Sequence, residues 1–221
     1  MEVNAYKMIY KFKSTLFFIF LFSSLSAQVT IGAFAGINSS KFIGDAPNNA
    51  SYKSLLGINT GLLIDFELSD HFFLGIQPSY SQEGSRVFYK TKSSESAVDS
   101  VRIRLNYISF PVLFKALTAN EHFYAIGGIE YAMLSSSFEK IEDVESDIPA
   151  NVASWNLAMH FGAGVKLSLG VPNLFFELRY TQGLVNLTDT PIDTSNIPRI
   201  KTTGFKLLAG IEIPLKKNSE K

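Results

Sequence analysis

Titratable side chains recur inside the most apolar stretches of this chain. Side chains of this kind can act as catalytic acids and bases or form ion pairs. Glu177 and Arg179, for example, interrupt the run NLFFELRYTQGLVNL (173–187). Thirteen such positions are Asp65, Glu67, Glu83, Arg102, Arg104, Lys115, Glu130, His160, Lys166, Glu177, Arg179, Lys206 and Glu212. Six are acidic, six are basic and one is a histidine. Because an unpaired charge is costly away from water, we expect these side chains to share one interior and to form a structural charge network.

The three histidines are the first candidates for acid–base catalysis. His71 and His122 each begin an alternating stretch, whereas His160 lies within one. A catalytic base needs a partner within hydrogen-bond reach, and no Gly-x-Ser-x-Gly, His-x-x-x-His or phosphate-loop pattern accompanies them. We therefore predict no catalytic residues, no cofactor and no enzymatic activity.

The acidic connection 135–152 is the place where cation binding would be sought. Its acidic residues are Glu139, Glu142, Asp143, Glu145 and Asp147. Their spacing does not match a calcium loop, and the chain contains no cysteine to supply a thiolate. The segment is interpreted as a solvated acidic loop, and no metal site is predicted.

Composition and the N-terminus point to an exported protein. Lys and Arg together number 20 and so do Asp and Glu, which gives no indication of nucleic-acid binding. Three lysines precede the apolar run STLFFIFLFSSL (14–25), and SAQ follows it. The run is shorter than the ~20 residues of a transmembrane helix. We predict that residues 1–27 are a secretory signal peptide.

Beyond residue 28 the chain shows period-two alternation rather than helical periodicity. The eight alternating stretches are 29–38, 54–67, 71–83, 101–116, 122–134, 153–167, 173–186 and 200–213. Tight connections alternate with long polar ones, as do the periplasmic turns and extracellular loops of outer-membrane barrels. The sequence predicts an all-β fold, an eight-stranded antiparallel up-and-down transmembrane β-barrel over residues 28–215, with a periplasmic tail over 216–221.

The two faces of each stretch differ in polarity. In 153–167 the apolar face is Trp155, Leu157, Met159, Phe161, Ala163, Val165 and Leu167. A soluble sandwich shows similar alternation, but its ~10 Å core needs shorter apolar faces. Aromatic residues also cluster at both ends of the predicted outward faces. They are Phe66, Phe72, Phe114 and Phe123 near the short turns, and Tyr80, Tyr107, Tyr131, Trp155 and Tyr180 near the long loops. This arrangement favours lipid around the barrel.

The stretch 101–116 changes phase along its length. Its first half alternates with the apolar residues on odd numbers, which places Arg102 and Arg104 inside, whereas Val112 and Phe114 are even. Because proline is confined to edges or bulges of sheets, we predict a bulge at 109–111. If charges at the same depth on neighbouring strands pair with each other, Glu83 should pair with Arg102 or Arg104, and Lys166 with Glu177.

Two motifs carry a resemblance to a known family. LNYISFPVLFK (105–115) and FFELRYTQGLVNL (175–187) resemble the recurring strands of PorT-like outer-membrane β-barrel proteins of Bacteroidetes-type bacteria. The segments GGIEYA (127–132) and FGAGVK (161–166) fit the same pattern. The resemblance implies an eight-stranded barrel in the outer membrane, and the founding member is tied to protein secretion and gliding. One departure is the ending PLKKNSEK (214–221), which does not close on an aromatic residue.

Three classes of function remain open from the sequence. The first is a structural or interaction protein of the cell outer membrane, accessory to protein secretion or gliding, with both termini periplasmic. Its expected partners are outer-membrane lipid, lipopolysaccharide and other envelope proteins, and no nucleic acid. The second is an exported lipocalin-like barrel that binds a small ligand in an apolar interior. The third is a narrow channel or an outer-membrane enzyme.

Overall fold

The structure is a computed structural model that describes residues 28–47, 49–89, 100–141, 144–147, 152–168, 170–188 and 199–215. The predicted signal peptide and tail lie outside these residues. The described strands are β1 Val29–Gly44, β2 Ala50–Ser69, β3 Phe72–Ile76, β4 Ser79–Tyr89, β5 Ser100–Leu117, β6 Phe123–Ile141, β7 Val144–Asp147, β8 Trp155–Leu167, β9 Asn173–Gly183 and β10 Ile200–Leu215. Within these ranges no helix is long and apolar enough to cross a membrane.

The strands close into one barrel. Neighbours pair antiparallel around the ring, and β1 pairs with β10 from Val29 opposite Leu215 to Gly44 opposite Ile200. β3 and β4 both lie between β2 and β5, so together they make one barrel strand interrupted at residues 77–78. The short β7 pairs only with the end of β6. The described chain therefore forms eight barrel strands, and the predicted eight-stranded antiparallel barrel is confirmed.

Alternating burial follows from this closure, because successive side chains of a strand point to opposite faces. In β8 the exposed Trp155 and Phe161 alternate with Asn156, Ala158 and His160, which are all buried. The exposed set over the barrel is rich in Leu, Ile and Phe. Apolar side chains thus face outward, the reverse of what a lipocalin-like ligand-binding barrel requires.

Strand β5 keeps a single phase, which corrects the predicted orientation of its first half. Val101, Leu105 and Tyr107 are buried, whereas Arg102 and Arg104 are exposed on the opposite face. Pairing with β6 is regular through 109–111, and the register with β3 and β4 is the same on both sides of the interruption at 77–78, so the bulge predicted in β5 is absent. Tyr107 is only 1% exposed and does not belong to an outward aromatic girdle.

The first half of β5 has apolar side chains inside because this part of the strand extends beyond the apolar belt. It lies at the end of the barrel where the long connections are found (the long-loop end). There Phe42, Leu105, Tyr107, Ala132 and Leu187 form a buried apolar cluster inside the barrel. Leu187 reaches it because its backbone N–H donates to the Ile200 carbonyl and its own carbonyl accepts from Ala153 N–H, at 2.8 Å each. An apolar cap therefore covers the interior at this end.

Candidate functional site

The interior of the barrel near the short connections (the short-turn end) holds a tight ion pair between β2 and β5. Lys115 Nζ lies 2.5 Å from Asp65 Oδ2, and both side chains are almost fully buried. The same ammonium lies 5.5 Å from the ring centroid of Tyr124 and 5.9 Å from that of Phe175. Cation–π contacts of this length add to the stabilisation of a desolvated lysine.

Glu177 and Arg179 on β9 form the next layer. They pair with each other through Arg179 Nε and Glu177 Oε1. Tyr124 Oη donates to Glu177 Oε2 at 3.0 Å, and Arg179 Nη2 donates to Gln77 Oε1 at 2.7 Å. Gln77 is fully buried at the interruption between β3 and β4. Sequence reasoning missed it, although Pro78 signals that the ladder breaks there.

Lys206 on β10 links two carboxylates near the middle of the interior. Its Nζ lies 3.5 Å from Glu83 Oε1 and 3.2 Å from Glu130 Oε2. Glu130 Oε2 also lies 3.1 Å from His160 Nε2, and Thr181 Oγ1 lies 3.2 Å from His160 Nδ1. All five side chains are buried. This cluster joins five strands across the lumen, namely β4, β6, β8, β9 and β10.

Lys166 pairs with Glu212 of β10 and not with its predicted partner, Glu177. Lys166 Nζ lies 2.7 Å from Glu212 Oε1, whereas Glu177 pairs with Arg179. The other predicted pairing, of Glu83 with Arg102 or Arg104, is wrong because both arginines face outward and Glu83 contacts Lys206. Glu67 is half-buried and lines an open depression of about 340 Å³ at the short-turn end.

An apolar cluster packs beside the charged groups. Phe34, Leu63, Phe175 and Leu208 form one buried cluster inside the barrel. The interior cavities beside the charges measure about 10 Å³ and about 20 Å³. A cavity needs about 10–15 Å³ to hold one water, so the interior is filled by its own side chains, as expected for eight strands.

Thr181, His160 and Glu130 reproduce the order of a nucleophile, a base and an orienting acid. Their chemistry is limited by space, because the cavity that Thr181 lines has a volume of about 10 Å³. A substrate cannot reach the hydroxyl there. Within the described residues no group of three or more His, Asp or Glu side chains is placed to hold a metal ion.

A closed antiparallel barrel with an apolar exterior and a packed, charged interior belongs to the class of integral outer-membrane β-barrels. The chain is a member of the family described as outer membrane protein beta-barrel domain, whose sequence model matches residues 22–189. It is therefore an outer-membrane β-barrel protein in contact with lipid. A comparison with curated protein sequences finds no match.

Solved structures of outer-membrane proteins are similar to this chain. Neisserial surface protein A (NspA) is 13% identical, with a TM-score of 0.50 over 85% of this chain and 97% of that chain. The attachment invasion locus protein Ail of Yersinia pestis is 15% identical, with a TM-score of 0.42 over 84% and 99%. The outer membrane protease OmpT of Escherichia coli is 10% identical, with a TM-score of 0.42 over 86% and 96%. The likeness to NspA shows the fold alone, and the other two likenesses carry no argument.

Proposed function

We propose that this protein is a sealed outer-membrane barrel that acts through its surfaces, as a structural and interaction partner of other envelope components. The observation that carries the proposal is the packed interior. Ion pairs, an apolar cluster and an apolar cap fill it, and the cavities that described residues line beside the charges measure only about 10 and 20 Å³. A hydrated ion or a small ligand needs a wider space, so neither conduction nor ligand storage suits this interior.

The proposed orientation follows the rule that outer-membrane barrels have short periplasmic turns and longer extracellular loops. The long-loop end then faces the outside of the cell, and both termini lie in the periplasm after removal of residues 1–27. The strands β5 and β6 reach Ser100 and Ile141 at this end, which gives a β-sheet platform above the membrane. Such a platform supports contacts with partner proteins, and the charged interior serves as its internal support.

The resemblance to PorT-like barrels supports a more specific role as an accessory of protein secretion or gliding. A strain that lacks the gene is expected to keep its outer membrane intact while secreted cargo accumulates in the periplasm. Complementation with the wild-type gene should restore export. Normal export and gliding in the deletion strain would contradict this role and would leave the sealed-barrel proposal untouched.

Planar-bilayer recording tests the sealed interior. Refolded wild-type protein should show no unitary conductance. A variant with Phe34→Ala, Phe175→Ala and Leu208→Ala removes three of the side chains that block the lumen and serves as the opened control. Steady ion conductance by the wild-type protein, at a level similar to that of the opened variant, would contradict the proposal.

A further inference from the structure

The opening of the barrel at the short-turn end carries more negative than positive charge. The open depression of about 340 Å³ there is lined by the carboxylates of Glu67, Asp70 and Glu121 and by one ammonium, that of Lys166. Lys166 is already paired with Glu212 at 2.7 Å, whereas the three carboxylates form no ion pair with a described cation. Asp70 and Glu121 are exposed, and Glu67 is half-buried. This depression is called the acidic mouth.

The excess of acceptors continues into the barrel beneath the acidic mouth. A cavity of about 20 Å³ shares Phe73, Leu117 and Lys166 with the depression and is also lined by Asp65. Asp65 is only 3% exposed, and although its Oδ2 contacts Lys115, its Oδ1 accepts no hydrogen bond from the described residues. A buried acceptor without a partner is unfavourable, and a cleft lined by one sign of charge attracts the opposite sign. The acidic mouth therefore favours an additional cation.

Strand β10 leads the chain directly to the acidic mouth. Pro214 lines the depression, and Leu215 is opposite Val29 at the start of β1. From Phe205 onward the exposed side chains of β10 are odd-numbered, and the even-numbered ones point into the barrel. The next residue in this inward phase is Lys216. A lysine therefore follows the closing strand at the rim of the depression.

The start of β1 places Glu67 beside the same rim. Gln28 lines the depression, and its carbonyl accepts a hydrogen bond from Glu67 N–H at 3.1 Å. Residues 216–221 carry three lysines, Lys216, Lys217 and Lys221, against one glutamate. At ~3.3–3.6 Å per residue, the first two lysines are within ~7 Å of the end of β10. Because they are tethered so close, their effective concentration at the acidic mouth is high.

We propose that residues 216–221 dock in the acidic mouth through Lys216 and Lys217 and so cover the short-turn end of the barrel. As a seal, this docking rests on the proposed function above: an apolar cap covers one end of the interior, and a basic segment of the same chain covers the other. It holds whichever end of the barrel faces the periplasm. The ending PLKKNSEK (214–221), which departs from the aromatic ending expected of the family, thereby gains a role.

The test measures the effective concentration of two engineered thiols, one in the mouth and one in the tail. Ser168→Cys is at an exposed position that lines the depression, and Asn218→Cys is in the tail. Because the chain has no other cysteine, these two thiols form the only disulfide within one molecule, and it requires their Cα atoms to lie within about 7 Å. The full chain in nanodiscs of zwitterionic phospholipid is equilibrated with reduced and oxidised glutathione, and the disulfide fraction is measured by mass spectrometry.

A neutral tail, with Lys216→Gln and Lys217→Gln, removes the proposed cations. The matched control removes two lysines from the long-loop end, with Lys41→Gln and Lys201→Gln. The effective concentration of the thiols should be about five- to tenfold lower for the neutral tail, as expected for the loss of two exposed ion pairs, and unchanged in the control. In 1 M salt, where the screening length is about 3 Å, the intact and neutral tails should give the same value. Equal values at low salt, or an equal loss in the control, would overturn the proposal and leave the mouth to a cation from another molecule.

Reversing the charge of the mouth tests the docking site itself. Asp70→Lys and Glu121→Lys change exposed side chains, and heat-modifiable migration in gels checks that each variant folds. With the intact tail this reversal should lower the effective concentration about as much as the neutral tail does, and adding Lys216→Glu and Lys217→Glu should restore it to within about twofold. A reversed mouth without effect, or a charge swap that restores nothing, would overturn the proposal. Conductance plays no part in this measurement, so a conducting barrel would contradict the sealed interior alone, and a tail that does not dock would contradict the docking alone.

Discussion

Replacement of Lys206 by methionine tests whether the charged interior stabilises the barrel. Methionine keeps an unbranched side chain, one atom shorter, but removes the ammonium that lies 3.5 Å from Glu83 and 3.2 Å from Glu130. Both carboxylates remain buried, with 5% and 2% of their surface exposed. Removing one partner of a buried ion pair costs about 3–5 kcal/mol. We expect the free energy of unfolding in lipid to fall by about this amount.

Urea titration in phospholipid vesicles measures this change, and the single tryptophan reports it. Trp155 is exposed on the outer face, so its fluorescence shifts when the barrel leaves the lipid. Adding Glu130→Gln to Lys206→Met should recover part of the loss because one uncompensated carboxylate is neutralised. Lys41→Met, at an exposed position, should change the free energy by no more than about 0.5 kcal/mol. A loss below about 1 kcal/mol for Lys206→Met, or a further loss on adding Glu130→Gln, would refute the reasoning.

Two further predictions concern the short-turn half of the interior. Asp65→Asn should lower the free energy of unfolding by about 2–3 kcal/mol in the same urea assay. The reason is that Lys115 loses the carboxylate 2.5 Å away and is left beside the nearby rings. An unchanged urea midpoint would show that water or another group replaces the carboxylate. Gly164→Ala should lower the free energy of unfolding by about 1–3 kcal/mol because the added methyl group overlaps the ring of Tyr124. Gly127→Ala should leave it nearly unchanged, since the nearest atoms to the added methyl group lie at 3.8–3.9 Å. Equal effects at the two glycines would contradict the packing argument.

Period-two alternation was a reliable guide where one environment extends along a whole strand. The outward Leu174, Phe176 and Leu178 of β9, and the inward Glu177 between them, are placed as their residue types predict. Lipid on one side and a charged lumen on the other make the two faces chemically distinct. The all-β fold and its closure therefore follow from residue pattern and loop lengths.

The same rule failed on β5 because the environment changes along that strand. Below the head-group layer apolar side chains face outward to lipid, but above it they face inward to the cap, and charged side chains face water. Val101 and Leu105 therefore face inward and Phe110 and Phe114 face outward, although the strand does not change phase between them. Residue pattern alone does not show where the membrane ends.

Ion-pair partners were harder to predict than strand faces. The predicted pairs joined neighbouring strands, whereas Glu83 and Lys166 reach Lys206 and Glu212 on β10, which is not adjacent to β4 or β8. An eight-stranded lumen is narrow enough for long side chains to cross it. Adjacency in the sheet is therefore a weak guide to contact inside such a barrel.

The closing strand has a consequence for biogenesis. β10 is the last strand in the described chain, and its pairing with β1 joins Val29 to Leu215, at opposite ends of the described residues. It also carries Lys206 and Glu212, the counter-charges of Glu83, Glu130 and Lys166. Until this strand docks, those three groups have no partner from it, and an open sheet that enters the bilayer early carries their desolvation cost. The charges of the lumen thus favour insertion of the completed barrel into the membrane over insertion of a partly formed sheet.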